Sequence, residues 1–254
     1  MKVGLIGYGN IGKYLIQKLN DDQLLPGTRI TSTFSRSRRE INGVEVYNDF
    51  QAFLDSDIEI VVEASSINAV KKYGYDVLKA RKNLLIISVG AFADQYFYDQ
   101  IQALAWKYER KVYLPSGAIG GLDILKAAKT SNQLDAVQII TRKPASSLID
   151  EPLEEKQTVF DGTASEAIQL FPKNINVSII LSLAGIGSEQ TRVKIIADPA
   201  ATENMHCIKA YGGFGEMTVE VKNSPMPENP KTSHLAALSV LSTLKKKEEN
   251  ILIM

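Results

Sequence analysis

The sequence predicts an α/β protein in which a doubly wound parallel sheet comes first, a second α+β domain follows, and a C-terminal helix returns to the first domain. Three observations predict it. Short apolar runs alternate with longer amphipathic stretches as far as Pro115, a glycine cluster follows the first run, and the alternation then gives way to clustered helices and consecutive strands.

The strands and helices can be justified in order. "KVGLI", "RITSTF", "VEVY", "IEIVVEAS", "NLLIISV" and "KVYLP" are the strand candidates of the first domain. Ile60–Val62 and Leu84–Ile87 are apolar on both faces, as strands covered by helices on two sides must be. Between the strands lie the amphipathic stretches "NIGKYLIQKL", "INAVKKYGYDVLKA" and "QIQALAWKYE". Beyond Pro115, "SGAIGGLDILKAAKT" reads as a glycine-rich turn feeding a helix, and "DAVQIITRKP" as a strand. "IDEPLEEKQT" reads as an acidic, solvated loop. Helices "TASEAIQLFP" and "NINVSIILSLAGIG" precede strands "TRVKIIADP", "MHCIKAYG" and "GEMTVEVK", which suggests a largely antiparallel sheet. The last helix, "TSHLAALSVLSTLKKK", is capped at Thr232 or Ser233 and ends in lysines that suit its negative pole. The predicted domains are 1–115, 116–228 and a closing segment 229–254.

Gly7-Tyr8-Gly9-Asn10-Ile11-Gly12 spells G-x-G-x-x-G directly after a buried strand and at the start of a helix, the context of a Rossmann-type dinucleotide site. Gly7 permits the turn, Gly9 admits a pyrophosphate close to the backbone, and Gly12 lets helix and strand pack; the helix N–H groups face the anion. About 20 residues further on, such folds carry an acid for the adenosine ribose. Here "TFSRSRRE" offers Ser35 and the cations Arg36, Arg38 and Arg39 instead. Guanidinium groups suit a 2′-phosphate, so the predicted cofactor is NADP or NAD, with NADP at least accepted. The competing reading is an arginine run on a solvated loop. "VVEASS" sets Glu63, Ala64 and Ser65 at a strand's carboxyl edge, where small residues let the nicotinamide half lie against the backbone.

Composition narrows the function classes. In 254 residues, 29 basic side chains balance 29 acidic ones, which argues against a general nucleic-acid binder. No run of about 18 apolar residues occurs, so no membrane span is expected. The single cysteine, Cys207, excludes an internal disulfide, and two histidines leave little for a metal site; a cytoplasmic protein without metal is expected. Hydride transfer needs one proton-handling group, and only His206 and His234 are available. His234 falls in the first turn of the last helix. His206 sits on a strand and alternates with Cys207, so the two face opposite sides. On pattern alone it is either a catalytic base or a strand histidine with a bonded partner.

Several segments together resemble the L-aspartate dehydrogenase family: "GLIGYGNIG", "LPSGAIGGLD", "TRKP", "FDGTASEAIQLFPKNINV", "ADP" with "NMHCI", and "ENPKTSHLAALSVL". The resemblance spans nearly the whole chain. It implies oxidation of L-aspartate to iminoaspartate, which hydrolyses to oxaloacetate and ammonia or supplies NAD biosynthesis. It also implies that His206 is catalytic and that Ala118 and Asn176 contact the cofactor. A dicarboxylate substrate needs cationic or N–H donors, for which Arg142, Lys143, Lys173, Asn174, Lys231, Thr232 and Ser233 are candidates from three motifs. The arginine run departs from an NAD-preferring pattern. Exposed apolar strands in the second domain point to a homodimer. Alternatives are another two-domain reductase of an amino-acid-derived substrate, such as a dihydrodipicolinate reductase or homoserine dehydrogenase, or a redox sensor that binds nucleotide without turnover.

Overall fold

The computed structural model describes residues 1–35, 40–171, 176–226 and 229–251, with the backbone alone at 229–231. It divides into two compact units, Met1–Pro115 with Val240–Leu252, and Ser116–Ser239.

In the first unit six strands, β1 (Lys2–Ile6), β2 (Arg29–Phe34), β3 (Glu45–Tyr47), β4 (Ile60–Glu63), β5 (Asn83–Ile86) and β6 (Val112–Tyr113), form a parallel sheet in the order β3-β2-β1-β4-β5-β6. Helices α1 (Asn10–Ile16), α2 (Phe50–Asp55), α3 (Ile67–Lys79) and α4 (Gln95–Lys107) alternate with the strands. Every residue of β4 is buried, as the run Ile60-Val61-Val62 requires of a strand covered on both sides. Strand order reverses between β1 and β4, and ligands of such sheets bind in the crevice that this reversal opens at the carboxyl ends. Past α1 the chain makes one wider turn, Gln17–Asp21, from which the Asn20 amide exchanges two hydrogen bonds with the backbone of Ile30 and fixes β2 beside the helix.

The second unit holds α5 (Leu122–Thr130), β7 (Ala136–Pro144), β8 (Gln157–Thr163), α6 (Ala164–Leu170), α7 (Asn176–Ala184), β9 (Arg192–Asp198), β10 (Asn204–Gly212) and β11 (Gly215–Asn223). Its five strands lie in the order β11-β10-β7-β9-β8, antiparallel throughout except for the β7–β9 pair. A small ladder, β12 (Pro225–Met226) with β13 (Asn229–Ser233), leads into α8 (His234–Lys246). Helices cover one face of the sheet: Val137 and Ile139 of β7, Val193 and Ile195 of β9, and Ile208 and Ala210 of β10 are buried there. From Val240 onward α8 belongs to the first unit, where Val240, Leu241 and Leu244 join Val3, Leu5 and Leu15 in one apolar core.

The acidic stretch expected to be loop ends in a strand the pattern missed. β8 begins at Gln157, and its polar residues are tolerated because it is an edge strand with an exposed start.

Candidate functional site

The glycine loop joins β1 to α1, and its three glycines are there for different reasons. Gly7 adopts φ +100, and a Cβ on it would lie 2.7 Å from Ser65 Cβ and 2.8 Å from the Ala64 carbonyl oxygen. A Cβ on Gly12 would lie 2.5 Å from the Gly7 carbonyl oxygen. Both are thus required by the packing of β1, α1 and the β4–α3 turn. At Gly9 a Cβ would meet nothing within 4 Å. The open space there faces the start of α1, whose first turn has no side-chain cap, so the N–H groups of that turn suit a pyrophosphate. A dinucleotide therefore fits: the position with no internal need for glycine is the one a phosphate would occupy.

Glu63, at the end of β4, holds the other wall. Its carboxylate is 1 % exposed and accepts from Ser65 N (2.7 Å), Ser66 N (2.8 Å), Ser88 N (3.0 Å) and Ser88 Oγ (3.0 Å). Burial pushes its pKa up, against the pull of these four donors. The carboxylate ties the ends of β4 and β5 to the start of α3, which is what presents Ala64 and Ser65 to Gly7. Beside this turn opens a cavity of about 390 Å³, lined by Ser35, Ser65, Ser66, Asn68, Lys72 and Tyr73 among others. No carboxylate lines it among the described residues, and Lys72 is its cation. Phe34 takes the position where an acid is common and packs instead on Phe50 and Tyr73, with ring centroids 5.0 and 5.2 Å away. The sequence reading missed Lys72, although Asn68 and Lys72 are one helical turn apart on α3.

In the second unit the covered face of the sheet changes character along its strands. Val137 and Ile139 give way to Thr141 and Lys143 on β7, Ala210 and Ile208 to His206 and Asn204 on β10, and Met217 to Asn223 on β11. Register sets His206 opposite Thr141 and Asn204 opposite Asn223. His206 is 2 % exposed, and its Nδ1 lies 3.0 Å from Thr141 Oγ1. Burial, and then the charge of Lys143, push the imidazole down to about 3, so the ring is neutral at physiological pH. Desolvation pushes Lys143 itself down to about 8. If Nδ1–H donates to Thr141, Nε2 is left with its lone pair, the tautomer that a base requires.

Strand alternation separates two residues that the sequence reading grouped as substrate donors. Lys143 faces the His206 side, whereas Arg142 faces the other and pairs with Asp198 at 3.3 Å. Ser233 is buried, and its hydroxyl accepts from Asn204 Nδ2 at 3.4 Å. Ala118 is buried too, and its carbonyl accepts from Asn223 Nδ2 at 3.1 Å. Asn176 opens α7, Thr232 lies in β13, and His234 opens α8 with its N–H on the Ser224 carbonyl. Asn10 and Ile11 form the first turn of α1. Arg36, Arg38, Arg39, Lys173 and Asn174 lie outside the described residues, as does the side chain of Lys231. Thr141, Asn204 and Asn223 were not anticipated; alternation counted back from Lys143 and His206 would have pointed to the first two. Among the described residues no cluster of three metal-ligating side chains occurs, and no helix is long and apolar enough to cross a membrane.

Comparison with known proteins adds the following. Residues 123–247 match a family profile described as aspartate dehydrogenase, C-terminal, and residues 7–115 one described as homoserine dehydrogenase, NAD binding domain. An L-aspartate dehydrogenase of Archaeoglobus fulgidus is 40% identical over 253 residues, covering 100% of both chains. One of Nitrosopumilus maritimus is 40% identical over 264 residues, covering 96% of each. The crystal structure of an aspartate dehydrogenase from Thermotoga maritima superposes with a TM-score of 0.85 at 36% identity, covering 100% of this chain and 99% of that one. A scyllo-inositol dehydrogenase from Lactobacillus casei, 14% identical, shares the fold alone, with a TM-score of 0.58 over 100% of this chain and 90% of that one.

Proposed function

The chain belongs to the aspartate dehydrogenase family, and on that premise we propose that it catalyses the NAD(P)-dependent oxidative deamination of L-aspartate to iminoaspartate, which water converts to oxaloacetate and ammonia. The observation that carries the reading is the polar end of an otherwise apolar sheet face, where a neutral buried histidine, its threonine partner and a buried lysine stand together. Lys143 supplies the positive charge a substrate carboxylate needs. His206, with its proton held on Nδ1 by Thr141, takes a proton at Nε2 from the substrate ammonium, releases it to solvent, and then accepts a proton from the water that attacks the imine. Gly9 and the first turn of α1 bind the pyrophosphate, and Glu63 holds the wall opposite. The nicotinamide, when bound, accepts the hydride from the substrate Cα.

Three finer statements belong to the same proposal. NADP is used at least as well as NAD, supported by the absence of a carboxylate among the described residues lining the adenosine-side cavity, by Lys72 on its wall, and by Arg36, Arg38 and Arg39, which follow Ser35 in sequence. The enzyme is cytoplasmic and acts as a homodimer through the uncovered sheet face, where Ile140, Ile196 and Cys207 are half-buried and Tyr211 exposed. Released iminoaspartate feeds NAD biosynthesis, as the family resemblance implies. Assaying the purified protein with L-aspartate, and with substrates of the competing reductases, against both nicotinamide cofactors is the deciding test. Absence of cofactor reduction with L-aspartate overturns the proposal, and light scattering that gives a monomer overturns the homodimer.

A further inference from the structure

Among the described residues of the second unit, two buried side-chain polar atoms have no hydrogen-bond partner: Arg142 Nε on the uncovered face and Asn223 Oδ1 on the covered one. A buried amide oxygen without a donor is costly and uncommon in folded proteins. The orientation of the amide is determined, because the Ala118 carbonyl can only accept, so Nδ2 faces it and Oδ1 points away. Asn223 lies directly opposite Asn204, one diagonal step from His206 on the same face. Residues so placed are within reach of one small ligand. Asn223 and His206 are both 2 % exposed, so the unpartnered oxygen and the imidazole are buried together at one end of the same face.

The chemistry of the ligand follows from what this end of the face provides. Lys143 and the Asn204 and Ser233 donors suit carboxylates. An uncharged acceptor suits an N–H group, and L-aspartate carries one such group, its ammonium, which becomes the imine N–H. We propose that Asn223 Oδ1 receives the amino group of the substrate and thereby selects amino dicarboxylates over dicarboxylates without nitrogen; this rests on the aspartate dehydrogenase reading. The Ala118 carbonyl holds the amide in the receiving orientation.

The test compares two ligands that differ at the amino group. Calorimetric titration of the full-length protein with L-aspartate and with succinate is done in the presence of reduced cofactor, so that aspartate is bound but not oxidised. Asn223→Ala should reduce the preference for L-aspartate over succinate by about tenfold or more, the range for a hydrogen bond to a charged group, with succinate affinity little changed. Asn223→Ser, which keeps an oxygen acceptor, should retain part of the preference and takes the place of the alanine variant if that fails to fold. Equal weakening of both ligands would mean that the amide only supports the strands, and overturns the proposal. Weakened cofactor binding with an intact preference would mean that the oxygen faces the nicotinamide carboxamide, and overturns it too. The aspartate dehydrogenase reading is judged separately, by whether the unaltered protein reduces either cofactor with L-aspartate.

Discussion

Replacing Lys143 with methionine should make the protein more stable and less active. The side chain is 9 % exposed, and burial moves its pKa from 10.5 to about 8. At about 1.36 kcal/mol for each pH unit, the folded state bears a cost of about 3 kcal/mol for keeping this ammonium charged at pH 7. Methionine has similar length and no charge, so Lys143→Met should recover up to that amount. Lys143 also has interactions of its own, which makes the figure a ceiling. The sign with pH is fixed: the cost is fully present below about 8, where both states are protonated, falls as pH rises from 8 to 10.5, and vanishes above 10.5, where both are neutral. The gain should therefore be large at pH 7 and shrink steadily through about pH 9.5. Urea denaturation at both values measures it as a change in midpoint at constant slope. Loss of a charged donor to a carboxylate should lower kcat/KM for L-aspartate by about tenfold to hundredfold. A variant no more stable than the parent at pH 7, or equally active on L-aspartate, would refute the argument.

Gly9→Val should abolish nucleotide binding in a folded protein, since its side chain would fill space that no other residue occupies; undiminished cofactor affinity by calorimetry would make the loop purely structural. Replacing Arg36 and Arg38 with alanine, and separately Lys72, should raise KM for NADP much more than for NAD, and equal effects on the two would refute the 2′-phosphate assignment. His206→Ala should lower turnover by about 10²-fold or more with cofactor affinity hardly changed, and a loss of only a few-fold would make it a structural strand residue. In the substrate-free protein the imidazole should stay neutral down to about pH 3 by NMR and titrate at higher pH once succinate is bound; a ring that titrates near its ordinary value without ligand contradicts the burial argument.

Much of this was legible in the sequence because it depends on local pattern. Two-sided apolar strands such as Ile60–Val62 and a G-x-G-x-x-G between strand and helix announce a parallel sheet with a nucleotide at its crevice, and β4 and α1 are in place accordingly. What the pattern did not disclose depends on strand register. Arg142 and Lys143 are adjacent in sequence and both cationic, yet a period of two sends one to Asp198 and the other toward His206. Thr141 becomes the partner of His206 only once β7 and β10 pair antiparallel with those residues opposite, and Asn223 comes onto the same face, opposite Asn204, only through β11. Polar β8 escaped notice because an edge strand needs little apolar surface.

The pKa values of the substrate-free centre suit the proposed catalysis only once the substrate's charge is added. An imidazole at about 3 does not take a proton near pH 7, although a lysine at about 8 still carries its charge there. L-aspartate brings two carboxylates. A carboxylate about 4 Å from the imidazole, at an effective dielectric of about 20, favours the protonated ring by about 4 kcal/mol, or about three pH units. A carboxylate so placed would raise His206 from about 3 toward the range where a general base is effective, and the same charge would raise Lys143 and keep it protonated. If His206 is the base, as proposed, burial would keep it inactive in the empty site and a dicarboxylate would activate it, whereas a neutral amino acid of similar size lacks the second negative charge and would leave it a weaker base. Discrimination of this kind acts on kcat as well as on binding, because the proton is taken only by the complex whose charge has raised the ring.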